Sequence, residues 1–517
     1  RPKLGRGVFF CTASDLQVIQ LPLRTRRLLE SRVQQRGEAA QVPRAGKLLI
    51  SSRRREFNQF SGDPCRRWEE PVLVSRGWKH RESRGDYFTI SRQCDQRPWP
   101  ESKASFQDLC LEPRLLAALE ALDFTQPSWI QQRAIPALLY GKNVLCASET
   151  GSGKTLAYLL PIVHRLLTHQ EDALSPEPRS LILVPSRELG GQVTAVARSL
   201  CAPLGLSVRF VEGGLGRKAI EKPFGGDSLD ILVATPGALL KALKWDKVSL
   251  SELHYVVLDE ADTLLDVTFC ELTERILMYS QIASQASDLQ TFTRKAQLAV
   301  FGATFPQGVS KVLTKVMDLG SIDIIKSKKL HFLMPHVQQM FKRLKGSDKT
   351  SELLELLKKH VAEKPGRGLL VFCNKASTVN WLGYILDDHA IKHARLHGQM
   401  PAEIRSGIFE TFQKGQSDVL VCTDIASRGL DSLRVDTIVN FDFPHTLEDY
   451  LHRAGRVGRI GSEANCFIVS FVTHVWDVEL VQNIETAARK RSTLTGLECR
   501  IKDPVKSCEL LKEQQKM

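Results

Sequence analysis

Eight residues constrain this chain more than any others: Ser148-Glu149-Thr150-Gly151-Ser152-Gly153-Lys154-Thr155, set between the apolar run Asn143–Ala147 and an apolar stretch that continues through Leu166. A strand that turns into a helix through a glycine-rich loop aims backbone N–H groups and a helix N-terminus at one spot, which suits phosphate. Lys154 can then reach the β- and γ-oxygens of a nucleotide, and Thr155 can offer its hydroxyl to Mg²⁺. Ser148, Glu149, Thr150, Gly151, Ser152 and Gly153 form the cradle, and Ser148 at its start is small enough to fit. A strand with a crossover helix commits its neighbourhood to a parallel sheet covered by helices.

The pattern around it agrees. From about residue 105, short apolar runs alternate with longer helix-like stretches, and strands are expected at 143–147, 181–185, 231–235, 255–259 and 298–304. After a basic, proline-containing stretch a second series follows at 369–373, 394–397, 419–423, 437–441 and 466–471. The expected architecture is α/β, with two tandem doubly wound parallel-sheet domains at 105–325 and 336–491. A linker, 326–335, joins them, and a tail, 492–517, follows Arg489-Lys490-Arg491. Ligands belong at the carboxyl ends of such strands, and the motifs sit there.

Two of these motifs complement the phosphate loop. The run Val256-Val257-Leu258 ends in Asp259-Glu260-Ala261-Asp262. Asp259, at the strand end, can join Thr155 in holding the metal, and Glu260 can orient and deprotonate an attacking water. In the second domain, Arg453, Arg456 and Arg459 recur at spacing three with Gly455 and Gly458 between them, which sets several guanidinium forks on one short face. Planar guanidinium donors pair bidentately with phosphate oxygens, so Arg456 and Arg459 are candidates for neutralising transition-state charge.

With these motifs in order, the chain resembles the DEAD-box family of superfamily 2 RNA helicases over about residues 105 to 490. The resemblance implies two RecA-like domains, ATP and Mg²⁺ as cofactors, and RNA-stimulated ATP hydrolysis. Phe124-Thr125-Gln126-Pro127-Ser128-Trp129-Ile130-Gln131 resembles the adenine-reading motif, with Gln131 as its glutamine and Phe106 as the upstream aromatic. By the same resemblance RNA would meet Arg187, Gly214, Thr235, Gly237, Arg405 and Thr423, and Asp431 would meet the ATP ribose. Two positions depart from the family: Ala238 stands where an arginine is usual, and Gly302-Ala303-Thr304 replaces Ser-Ala-Thr. Within the family the likeness is strongest to a mitochondrial member linked to large-subunit ribosome assembly. It implies ribosomal RNA and ribosome-assembly proteins as partners and a matrix location, with a nuclear pool as a further expectation.

Charge bears on that address. Residues 1–100 carry 21 Lys plus Arg, 18 of them arginine, against 10 Asp plus Glu, which leaves 50 against 48 for the rest. Residues 1–104 are therefore read as a basic, partly disordered N-terminal extension. An Arg-rich, acid-poor start suits a mitochondrial transit segment; Arg53-Arg54-Arg55 suits equally a nuclear signal or a phosphate-binding patch, and a solvated arm is as good a reading. The chain opens on Arg1 rather than methionine and is read as a fragment or a processed form. No apolar run nears the roughly 20 residues of a membrane span, so a soluble chain is expected. The 12 cysteines include no Cys-x-x-Cys pair, which speaks against a zinc ribbon and for a reducing compartment.

Two rivals differ by named residues. Translocating helicases with the same phosphate loop commonly end the acidic motif in His and open the arginine motif with Gln, where this chain has Asp262 and His452. An ATP-regulated RNA clamp or assembly scaffold with little unwinding is the alternative that Gly302 keeps open.

Overall fold

The computed structural model describes residues 46–63, 70–93, 104–168, 176–213, 217–224, 228–266, 268–283, 295–304, 309–327, 330–424, 434–458, 465–495 and 497. Of the expected site residues, Gly214, Asp431 and Arg459 lie outside these.

In the first domain a parallel sheet runs in the order Ile322–Lys326, Asn143–Ala147, Gln297–Gly302, Tyr255–Leu258, Ser180–Leu183, Ile231–Ala234, Val208–Val211. Its strands read as near-continuous apolar runs because both faces are covered: alternate side chains such as Val144 and Cys146 enter one core, Leu145 and Ala147 the other. Two strands escaped the sequence pattern. Val208–Val211 is an edge strand with two half-buried positions, and Ile322–Lys326 reads as basic linker at its end.

The second sheet runs His393–Leu396, Val419–Cys422, Gly368–Phe372, Val435–Asn440, Cys466–Val472, Val337–Arg343, all parallel. It does not stop there. Tyr87–Ile90 pairs antiparallel with Val337–Arg343, and Ile50 to Ser52 of the strand Leu48–Ser52 pair antiparallel with Tyr87–Ile90. The expectation of a solvated arm therefore fails for residues 49–58 and 70–93, which complete the second domain. The physical reason lies in side chains that the arginines obscure: Leu49, Ile50, Val74, Trp78, Phe88 and Ile90 are all buried. Phe88 stacks on Phe341 at 4.9 Å, and Phe341 on Tyr450 at 6.0 Å. Residues 46–48 and 59–63 belong to a small separate unit, in which Ser61 N–H donates to the Lys47 carbonyl (2.8 Å).

Glu485 fastens this annex. Fully buried on the helix Asp477–Lys490, it accepts from Val74 N–H (2.8 Å), Ser75 N–H (3.0 Å) and the Ser75 hydroxyl (2.6 Å), and Arg489 pairs with it at 2.8 Å. Carboxylate, guanidinium and backbone donors satisfy one another out of water, the condition under which a buried charge is tolerated. Glu485→Ala is expected to leave the arginine and two N–H groups unpaired and to cost on the order of 3 kcal/mol. Urea unfolding should report that loss, and amide exchange should rise at residues 74–90 before it rises in the first domain.

Candidate active site

The phosphate loop follows Asn143–Ala147 and opens the helix Lys154–Thr168, as its sequence requires. Gly151 and Gly153 take positive φ, which glycine adopts without strain. Lys154 Nζ donates to the carbonyls of Ser148 (2.7 Å) and Glu149 (3.2 Å), so the ammonium lies across the loop it serves. Ser148 and Ser152 join hydroxyls at 2.7 Å, and the Ser327 hydroxyl donates to Glu149 Oε1. Gln131 closes the loop from the side. Its amide donates to the Gly153 carbonyl (3.0 Å), while its oxygen accepts from Ser128 N–H and caps the helix Trp129–Leu139. Phe106 packs into the first domain's core with only 4% of its surface exposed.

Asp259 and Glu260 stand beyond the end of Tyr255–Leu258. Tyr158, buried in the helix that Lys154 begins, donates its hydroxyl to Asp259 Oδ2 at 2.8 Å. Burial, and then the charge of Glu260, push the Asp259 carboxyl up to about 6. A buried carboxylate so placed favours a cation beside it, and with the Thr155 hydroxyl it makes a hard-oxygen pair that fits Mg²⁺. Glu260 takes a left-handed backbone (φ +50), costly for a residue with a Cβ, and its Oε2 is buried with no hydrogen-bond partner among the described residues. Strain and an unused buried acceptor mark it as the group for proton transfer.

The second domain meets these carboxylates directly. Arg456 Nη2 lies 3.5 Å from Glu260 Oε1, and His452 Nε2 lies 3.4 Å from Asp262 Oδ2. Asp262 Oδ2 also accepts from Ala303 N–H (3.1 Å), Thr304 N–H (3.0 Å) and the Thr304 hydroxyl (3.2 Å). Burial alone would raise the Asp262 carboxyl, but the His452 charge and the donors overcome it and hold it well below the usual carboxylate range. Burial likewise pushes the His452 imidazole down, and Asp262 more than reverses this, leaving it raised. At Gly455 a Cβ would overlap Thr150 Oγ1, so glycine lets the arginine loop reach the phosphate loop.

The expectation of three guanidinium forks on one face is corrected at Arg453. Its side chain is buried and turns into its own domain, bonding Asp424 (2.6 Å), Asn374 (2.7 Å) and the Asp442 carbonyl (2.7 Å). Helical periodicity separates it from Arg456, which spacing alone did not weigh. Tyr158 and Arg453 were the functional neighbours that sequence reasoning missed. A tyrosine four residues after the loop lysine, inside an apolar run, was the available signal, since a buried phenol seeks a partner.

The residues expected to meet RNA line the carboxyl ends of neighbouring strands. Arg187 begins the helix Arg187–Cys201 after Ser180–Leu183 and lies 3.6 Å from Glu212. Thr235 and Gly237 begin the helix that follows Ile231–Ala234, and Ala238 is buried in the core beneath them. Across the interface Arg405 pairs with Glu188 at 3.4 Å. Thr423 follows Val419–Cys422, and its N–H donates to the Leu396 carbonyl. The structure thus gathers Arg187, Thr235, Gly237 and Arg405 near one rim, while Thr423 sits largely buried.

Comparison with known proteins agrees with this geometry. The DEAD/DEAH box helicase family matches residues 128–312, and the helicase conserved C-terminal domain matches residues 348–461. A mouse protein named probable ATP-dependent RNA helicase DDX28 is 53% identical over 505 residues, covering 95% of this chain and 94% of its own; its human counterpart is 53% identical over 504. Among solved structures, S. cerevisiae Dbp5 bound to RNA and ADP BeF3 is similar with TM-score 0.64 and 26% identity, covering 75% of this chain and 94% of that one. Mss116 bound to single-stranded RNA shares the fold with TM-score 0.66 at 24% identity.

Glu260→Gln keeps the shape and removes the acceptor. RNA-stimulated ATP turnover should fall about 10²-fold or more, with nucleotide and RNA binding retained. Turnover close to that of the unaltered protein, measured at saturating ATP and RNA, would remove Glu260 from proton transfer.

Proposed function

The chain belongs to the DEAD-box family of ATP-dependent RNA helicases, and from that premise we propose that it remodels mitochondrial ribosomal RNA during assembly of the large ribosomal subunit. The observation that carries the catalytic part is the meeting of Arg456 with Glu260 across the domain interface. In this reading ATP enters against Lys154 and the loop N–H groups, and Thr155 and Asp259 hold Mg²⁺, which supplies charge neutralisation at the phosphates. Glu260 orients and deprotonates the attacking water. Arg456, with Arg459, stabilises charge on the transferred phosphoryl group. Gln131 selects adenine, Phe106 supports it, and Asp431 holds the ribose.

RNA binds the rim formed by Arg187, Gly214, Thr235, Gly237, Arg405 and Thr423, mostly through its backbone, so recognition is largely independent of sequence. Domain closure then bends one strand so that its paired partner no longer fits, and phosphate release reopens the clamp. The Arg-rich, acid-poor start supports a matrix address, and Arg53-Arg54-Arg55 supports a nuclear pool. Gly302 favours a second reading, in which the chain acts chiefly as an ATP-regulated RNA clamp.

Crosslinking in cells followed by sequencing of the bound RNA tests the address and the target together. The expected result is enrichment of mitochondrial large-subunit ribosomal RNA. Enrichment of nuclear or cytosolic RNA instead would overturn the ribosomal reading while leaving the ATPase untouched.

A further inference from the structure

Between the two domains the chain passes through His331, a position held at some cost. Leu330, just before it, is buried in the first domain's core, and Leu333, just after it, packs on the second domain's core. His331 itself takes a left-handed backbone, φ +64, which costs a residue with a Cβ roughly 1 kcal/mol or more. Its carbonyl accepts from Leu494 N–H at 3.0 Å, and Leu494 is fully buried in the second domain's core. The ring is buried too, with 5% of the residue exposed, and Nε2 has no hydrogen-bond partner among the described residues. A strained backbone and an unsatisfied buried nitrogen at one residue are two penalties that packing alone does not require.

The ring faces a particular segment. It lies against the carbonyl of Ala303. Burial first, and then the Lys326 charge, push the imidazole down to about 4, so it is neutral and carries a single N–H. Ala303 N–H, on the other side of the same residue, donates to Asp262, which pairs with His452 of the second domain. Gly302-Ala303-Thr304 is thus gripped by the acidic motif from one side and met by the interdomain connection from the other. At Gly302 there is no hydroxyl to add a third hold.

We propose that His331 is a positioning residue that couples domain closure to the segment Gly302-Ala303-Thr304, so that ATP turnover is converted into RNA remodelling. Closure moves the connection; the buried ring, anchored through its own carbonyl to Leu494, carries that movement to Ala303. Opening withdraws the ring and relaxes the segment. His331 touches neither nucleotide nor RNA in this role, so hydrolysis itself does not depend on it.

The test uses the full chain and three variants. His331→Gly relieves the backbone strain and deletes the ring, His331→Asn tolerates the left-handed backbone and keeps a short polar donor, and Gly302→Ser restores a hydroxyl to the segment. Short-duplex separation and RNA-stimulated ATP hydrolysis are measured on the same samples, with thermal unfolding alongside. In His331→Gly, duplexes separated per ATP should fall at least about fivefold while ATP turnover stays within a few-fold. His331→Asn should recover part of the ratio, and Gly302→Ser combined with His331→Gly should raise it above His331→Gly alone. An unchanged ratio in His331→Gly overturns the proposal. So does a parallel loss of both activities together with lowered thermal stability in His331→Gly and His331→Asn alike, which would mark the residue as merely structural.

Discussion

One buried carboxylate organises the catalytic interface. Asp262 takes two backbone N–H groups and a hydroxyl from Ala303 and Thr304, and faces His452 of the second domain at 3.4 Å. Bringing a carboxylate out of water costs several kcal/mol, and only a full set of donors with an opposite charge repays it. Three of those donors come from the same domain, so Asp262 is preorganised; the charge comes from the other. The pair therefore sets the orientation in which the domains meet, and the helix Leu447–Ala454 that carries His452 delivers Arg456 to Glu260 one turn later.

That helix is held from behind. Tyr450, on its inner face, stacks on Phe341 and donates its hydroxyl to Gln339 at 2.6 Å, while Arg453 bonds Asp424, Asn374 and the Asp442 carbonyl. Phe341 is covered in turn by Phe88 of the N-terminal annex, whose sheet pairing and Glu485 anchor tie it to the same domain. The basic N-terminal region thus contributes packing beneath the arginine loop through residues 49–58 and 70–93. Because Gln93 N–H donates to the Pro335 carbonyl at 2.8 Å, the exit from the annex and the interdomain connection also run side by side.

The sequence made the nucleotide site legible because phosphate chemistry demands fixed spacing. Lys154, Thr155, Asp259 and Glu260 are placed by the strand ends that their apolar runs announce. The annex was hidden because 21 basic residues in the first 100 outweigh the scattered apolar positions Leu49, Ile50, Trp78 and Phe88, whose partners lie some 250 residues away in the chain. Arg453 was misplaced because a spacing of three looks like one face until burial separates its members. His331 carried no sequence signal, since its meaning lies in a backbone angle and a buried ring. Contacts made across long separations are what a one-dimensional pattern loses.

The central claim is that Asp262 and His452 act as one unit to bring Arg456 to Glu260. A double-mutant cycle on RNA-stimulated ATP turnover at saturating ATP and RNA, with Asp262→Asn and His452→Ala singly and together, tests it most directly. If the pair works as a unit, the double variant should be no slower than the slower single variant, because the second substitution removes an interaction already lost. Losses that multiply, each residue contributing independently of the other, would contradict the account.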